Sequence, residues 1–293
     1  METRRRGLSR RGLRRAFGRL SVLIVVAVAV YVGLAKAGVI RTALFPVTRG
    51  DVELARSEES GLRVLFVGNS FTFYNDMPHM LHELAAEDPG GPPIFAVERT
   101  RNSWTLHGAS DDKGLDSLLD DVEWDDVVLQ ERSWYLSESA ESWLRETYPY
   151  ADELRRKIEA GGSQGVLFET WGYRNGMGRG DSYDWMQGRL SKGSTKLADM
   201  LGMDVAPVGN AWYTAHVERP ELDLWDGDGR HPSRAGSYLA ACTFYAKLTG
   251  HDPTHSRFTA DLDPSVAFMR GRMKTAGDPG LVLEVLAAAS STG

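Results

Sequence analysis

Two residues near the carboxy-terminal end have the types and spacing to move a proton together. Asp228 and His231 lie three positions apart in Asp228-Gly229-Arg230-His231-Pro232-Ser233. A carboxylate at that spacing, in a short loop leading into a helix, can accept a hydrogen bond from the imidazole Nδ1–H. That bond fixes the tautomer and leaves Nε2 as a base. Pro232 stiffens the backbone, and Ser233 reads as the cap of the following helix. A base needs a proton to take. Far upstream, the apolar run Val64-Leu65-Phe66-Val67 ends in Gly68-Asn69-Ser70-Phe71-Thr72, which reads as a strand, a glycine turn and a serine at its tip. A hydroxyl is a weak nucleophile until a neighbouring base deprotonates it, so a serine fixed in a turn and an oriented histidine together describe nucleophilic catalysis. The Ser70 N–H, at a turn into a helix, can also donate to a developing oxyanion.

The other histidines lack these supports. His79 and His82 share a helix face, yet no Asp, Glu or Cys at ligand spacing accompanies them, so they read as surface or packing residues. Asp226-Gly227-Asp228-Gly229 begins like a calcium loop, but its twelfth position is Ser237 rather than a glutamate. Cys242 is the single cysteine; it lies among apolar residues and reads as a small core side chain. No metal or organic cofactor is implied.

The elements that must position Ser70 and His231 alternate along the chain. Strands are expected at 62–67, 94–98, 126–130, 165–169 and 203–207, and helices at 77–87, 114–119, 138–160, 185–201 and 233–248. Asp76 reads as an N-cap and Gly250 as a terminating glycine. The strands are apolar without clean alternation, as in a parallel sheet covered on both faces. Active sites of such sheets lie beyond the carboxyl ends of the strands. Ser70, Gln130 and Glu169 each fall at or just after such an end, so one rim gathers them.

Charge divides the chain. The first 19 residues hold eight arginines against one glutamate, which leaves the rest of a chain of net charge −6 at −13. An acidic body without a basic patch argues against nucleic-acid binding. The Arg-rich start precedes about sixteen uncharged residues from Leu20, and Lys36 can snorkel so that the apolar segment extends to Ile40. Two readings stand: a positive-inside membrane anchor, or an exported precursor with a twin-arginine-like Ser9-Arg10-Arg11 and a small-x-small site at Ala35-Lys36-Ala37. Both place the body outside a bacterial cytoplasm, and the long basic region favours the uncleaved anchor.

Gly68-Asn69-Ser70 paired with Asp228-x-x-His231-Pro232 resembles the SGNH (GDSL-like) hydrolase superfamily. The stretches 124–133, 207–212 and 231–241 are similar to a bacterial branch of mostly uncharacterised SGNH proteins. The resemblance covers roughly residues 62–250. It implies a flavodoxin-like three-layer α/β/α sandwich with a parallel sheet of about five strands. It also implies an esterase acting through Ser70, His231 and Asp228. The expected organisation is a basic segment at 1–19, a hydrophobic segment at 20–40, a linker at 41–60, the hydrolase-like domain at 61–255 and a helical tail at 256–293.

Three departures stand out, the last two of them on the oxyanion half. Asn69 stands where the superfamily has Asp. Arg101-Asn102-Ser103-Trp104-Thr105-Leu106 has no glycine where one usually donates its N–H. Gln130-Glu131-Arg132-Ser133 replaces a Gly-x-Asn-Asp block. Gln130 is therefore the expected side-chain donor to the oxyanion, with a backbone N–H near Asn102 as the second and that of Ser70 as the third. The expected substrate is a small-molecule or carbohydrate ester, with the N-terminal segment binding the membrane. An acyltransferase with the same triad and a catalytically degenerate, membrane-tethered binding module are the alternatives. Trp104, Trp134, Trp171 and Trp212 either stack on sugar rings or pack in the core, the second being their commoner fate.

Overall fold

The apolar runs form strands, and consecutive side chains in each point to opposite faces of one sheet. In the computed structural model, which describes residues 45–57, 60–178 and 180–262, the strands are β1 (Val47–Arg49), β2 (Leu62–Gly68), β3 (Ile94–Thr100), β4 (Asp126–Leu129), β5 (Gln164–Phe168) and β6 (Asp204–Ala206). Their spatial order is β1-β3-β2-β4-β5-β6. β1 runs antiparallel to β3, and the other neighbours are parallel. The five expected strands are present within a residue or two at each end. The sixth, β1, lies in the stretch read as linker; three residues carry no periodicity to reveal it.

The helices are α1 (Val52–Ala55), α2 (Ser70–Phe73), α3 (Met77–Ala86), α4 (Leu106–Ser110), α5 (Lys113–Asp121), α6 (Ala140–Glu146), α7 (Tyr148–Ala160), α8 (Tyr183–Leu201), α9 (Val208–Glu218) and α10 (Arg234–Thr249). The helix expected at 138–160 breaks between α6 and α7. Thr147 leaves helical geometry there, and Pro149, which has no N–H to donate, falls in the first turn of α7. Asp76 does precede α3, but in a left-handed conformation (φ 58°) and with no capping bond from its side chain. Ser233 caps α10 by accepting from Gly236 N–H, and Gly250 closes it at φ 71°.

The alternation on β2 sorts the core into two. Val64 and Phe66 join Val128, Val166 and Phe168 under α3, α9 and α10, with Phe244 set edge-on to Phe66 at 5.0 Å. Leu65 and Val67 join Val97, Val127, Leu129 and Leu167 under α4, α5, α7 and α8. This gives the three layers, helices–sheet–helices. The chain leaves β2 toward one face and β3 toward the other, while β3 and β4 flank β2. The carboxyl end of β2 is therefore a topological switch point, where the loops of neighbouring strands diverge.

The segments 1–19 and 20–40, and the tail beyond 262, lie outside the described residues. Among the described residues no helix is long and apolar enough to cross a membrane. Residues 256–262, assigned to the tail from sequence, lie against the body. Tyr238 Oη donates to Phe258 O at 2.9 Å and Arg234 Nε to Ala260 O at 2.6 Å. Cys242 is buried in α10.

Candidate active site

β2 delivers Ser70 to the switch point through a turn that admits little bulk. A Cβ on Gly68 would lie 2.6 Å from both Gln130 Oε1 and Thr72 Oγ1. Asn69 then caps α2, its Oδ1 accepting from Phe71 N–H at 3.1 Å, while its Nδ2 donates to Trp104 O at 2.8 Å. An aspartate could do only the first. Ser70 becomes the first residue of α2, where a backbone N–H has no helical acceptor. Among the described residues that N–H finds none elsewhere.

The histidine arrives on a loop held at many points. Asp226 N–H donates to His231 O at 2.8 Å, Trp225 and Pro232 form an antiparallel bridge, and Gly229 turns at φ 68°. Asp228 Oδ1 accepts from the N–H groups of Arg230 (2.8 Å) and His231 (2.9 Å). Its Oδ2 lies 2.5 Å from His231 Nδ1, and His231 Nε2 lies 2.9 Å from Ser70 Oγ. The carboxylate therefore takes the Nδ1–H, and the hydroxyl donates to Nε2. Partial burial raises the Asp228 pKa, but the bonds from His231 and the two backbone N–H groups outweigh it and hold the carboxyl below its ordinary range. Ser70 is buried, and His231 keeps a quarter of its side-chain surface.

Three residues, none of them assigned this role from the sequence, join the two loops. Asn75, at φ 54°, donates from Nδ2 to Pro232 O at 3.0 Å and to Ser237 Oγ at 2.9 Å. Tyr74 stacks on the His231 ring, centroids 4.2 Å apart and planes at 9°. Trp171 donates from Nε1 to Arg230 O at 3.0 Å. The only sequence signal was that Asn tolerates a left-handed turn.

The oxyanion half departs from expectation. Gln130 is 1% exposed and lies under the serine turn. Its Oε1 accepts from Asn69 N–H (2.8 Å) and Thr72 Oγ1 (3.0 Å), and its Nε2 donates to Glu131 O at 2.5 Å. The amide is thus engaged in holding the turn from below and is not aimed at a substrate oxygen. The loop at Asn102 lies beside the serine turn. Arg101 N–H donates to Gly68 O at 3.2 Å, Trp104 O receives Asn69, and Asn102 and Ser103 are exposed between them. Among the described residues neither of their N–H groups has an internal acceptor. Ser103 takes φ 55°, the conformation a glycine would adopt freely.

Trp104, Trp171 and Trp212 are core residues at 5%, 0% and 0% exposure, and Trp134 is half-buried. Glu169 is buried, and among the described residues its carboxyl bonds to the side chains of Gln187, Ser191 and Asn210.

A Ser–His–Asp array at the carboxyl rim of a doubly wound sheet is the arrangement of an α/β serine-hydrolase-type protein. Scans of protein-family models and of curated proteins each gave no match. Solved structures do match. A protein of Slackia heliotrinireducens named as an SGNH hydrolase is 28% identical, over 64% of this chain and 99% of that one, with a TM-score of 0.54. A DUF4886 family protein of Bacteroides uniformis is 21% identical, over 72% and 92%, with a TM-score of 0.61. A protein of Parabacteroides merdae named as a GDSL-like lipase is 18% identical, over 67% and 98%, with a TM-score of 0.51. The chain shares its fold with these proteins and is similar to structures named as SGNH and GDSL-like hydrolases.

Proposed function

We propose that the protein is an extracytoplasmic serine esterase that cleaves small-molecule or carbohydrate O-acyl esters through an acyl-enzyme. The observation that carries this reading is the unbroken line from Asp228 Oδ2 through His231 to Ser70 Oγ, at 2.5 and 2.9 Å. Ser70 Oγ attacks the acyl carbon while His231 Nε2 takes its proton and the Asp228 carboxylate stabilises the imidazolium. The tetrahedral oxyanion meets the Ser70 N–H and the N–H groups of the 102–103 turn, so the hole is made of backbone. His231 then protonates the leaving alcohol. Water, deprotonated by His231, attacks the acyl carbon and releases the acid and Ser70.

The name of the 28% identical Slackia neighbour supports hydrolysis. The Arg-rich residues 1–19 and the apolar segment to Ile40 support membrane anchoring or export, and the acidic remainder supports the absence of nucleic-acid partners. Half-buried Tyr74 and Tyr173 border the triad and offer ring faces to a sugar alcohol.

Labelling with a fluorophosphonate, followed by mass-spectrometric site mapping, tests the reading. Ser70 is expected to carry the label, Ser70→Ala to carry none, and Asp228→Ala to label slower by about three to four orders of magnitude. A wild-type chain that neither labels nor releases p-nitrophenol from a short acyl ester would sink the proposal.

A further inference from the structure

Three buried glutamates near the rim take no part in the proposed reaction: Glu98, Glu131 and Glu169, at 1%, 2% and 1% exposure. Glu98 has a cation, Arg49, at 2.7 Å, and Glu131 accepts from Arg132 N–H at 2.6 Å. Glu169 sits among neutral partners, the side chains of Ser191, Gln187 and Asn210 together with the Asn210 backbone N–H. Oε1 lies 2.6 Å from Ser191 Oγ and 3.1 Å from Gln187 Nε2, and Oε2 lies 3.1 Å from Asn210 Nδ2. Ser191 Oγ also lies 2.5 Å from Asn210 Oδ1. Glu169, Ser191 and Asn210 thus close a ring of three contacts.

Each contact of that ring needs one hydrogen. With Nδ2 toward Glu169, Asn210 supplies the hydrogen of that contact, and its Oδ1 must receive one. Ser191 has a single hydroxyl hydrogen, which can serve Asn210 or Glu169 but not both. Turning the amide over moves the shortage to the Glu169–Asn210 contact without removing it. Ser191 and Asn210 supply two hydrogens to three contacts, and the carboxyl is the remaining source. Burial without a cation, against the lowering effect of these bonds, pushes Glu169 up to about 7, in the same direction as the proton count. Among titratable groups of α8 and α9, Tyr183 feels the Glu169 carboxyl electrostatically, and Tyr213 and His216 are set against the Tyr183 ring.

Gln187 links this ring to the triad. Its Nε2 donates to Glu169 and its Oε1 accepts from Gly172 N–H at 2.8 Å. The segment around Gly172 carries the histidine loop. Trp171 Nε1 donates to Arg230 O (3.0 Å), Trp225 Nε1 to Gly172 O (3.0 Å) and Arg174 N–H to Gly229 O (2.9 Å). We propose that Glu169 is a positioning residue that works as a neutral acid: its proton closes the ring with Ser191 and Asn210, and through Gln187 the ring fixes the segment that supports the Asp228–His231 loop. The positioning role rests on the triad reading above; the protonation state does not.

The experiment has two readouts on the full-length chain. The first is the infrared band of a protonated carboxyl at about pH 6, taken as wild type minus Glu169→Gln so that Glu98 and Glu131 cancel. A band in the difference spectrum is expected, and its absence overturns the proton count. Ser191→Ala keeps the carboxyl but removes its acceptor, so the band should shift; an unshifted band also overturns the ring. This arm serves if Glu169→Gln fails to fold, with wild type minus Ser191→Ala then showing the paired shift. The second readout is the fluorophosphonate labelling rate of Ser70 against pH. The ratio of wild type to Glu169→Gln is expected to fall several-fold from about pH 6 to about pH 9, as Glu169 ionises in the wild type alone. A ratio that does not change with pH overturns the positioning role. Labelling of Ser70 in either variant upholds the triad, so the two proposals fail separately.

Discussion

Replacing Asn69 by aspartate would restore the residue that the superfamily usually carries, and here it should do harm. The Asn69 side chain is 2% exposed and makes two bonds of opposite sense: Oδ1 accepts from Phe71 N–H, and Nδ2 donates to Trp104 O at 2.8 Å. Aspartate keeps the first bond and sets an oxygen against the Trp104 carbonyl. Leaving a buried carbonyl without its donor costs about 1–3 kcal/mol. For a body of this size each kcal/mol lowers Tm by about 2–4 °C, so the expected fall is about 2–12 °C. The variant also acquires a pH dependence of known sign. Only the protonated form of the introduced carboxyl can donate, so its pKa is raised in the folded chain above the unfolded value of about 3.9. The folded state then holds more protons than the unfolded state, and stability declines as pH rises through that interval. Thermal unfolding by circular dichroism from about pH 4.5 to about pH 7.5 should show the gap to wild type widening with pH. Ser70 labelling should slow as well, by up to about 10²–10³-fold if the 101–104 loop moves and an oxyanion donor is misplaced. Equal stability of the two chains throughout that range would refute the donor role given to Asn69.

Asn75→Gly keeps the left-handed turn but loses the bonds to Pro232 and Ser237; about 1–3 kcal/mol of stability and a slower Ser70 labelling rate are expected, and an unchanged labelling rate would show that the tie does not align the triad. Phe66→Ala opens a cavity beside Phe244 at a position with no exposure and should cost about 3–5 kcal/mol, measured by denaturant unfolding. Burial pushes Glu98 up to about 7 despite Arg49, so its folded pKa exceeds its unfolded one and ionisation opposes folding as pH rises. Glu98→Gln should therefore gain stability relative to wild type between about pH 5 and about pH 8. A difference flat in pH would reject burial as the cause.

The sequence by itself determined what depends on neighbours along the chain. The apolar runs of β2 to β6 announce a sheet covered on both faces, because a strand buried twice has no polar face to alternate with. Asp228 and His231 are legible as a pair because three residues of loop set their reach. The caps at Ser233 and Gly250 are legible because each satisfies its own helix end. Tertiary structure decided everything that joins distant segments. Ser70 and His231 are 161 positions apart and meet only because β2 ends at the switch point. Gln130 has the right chemistry for an oxyanion donor, yet packing turns its amide beneath the serine turn, where Asn69 N–H and Glu131 O claim both ends. β1 is too short to show a period, and its pairing with β3 exists only in the assembled sheet. A side chain's type limits which bonds it can make, and the fold decides which partners come within reach.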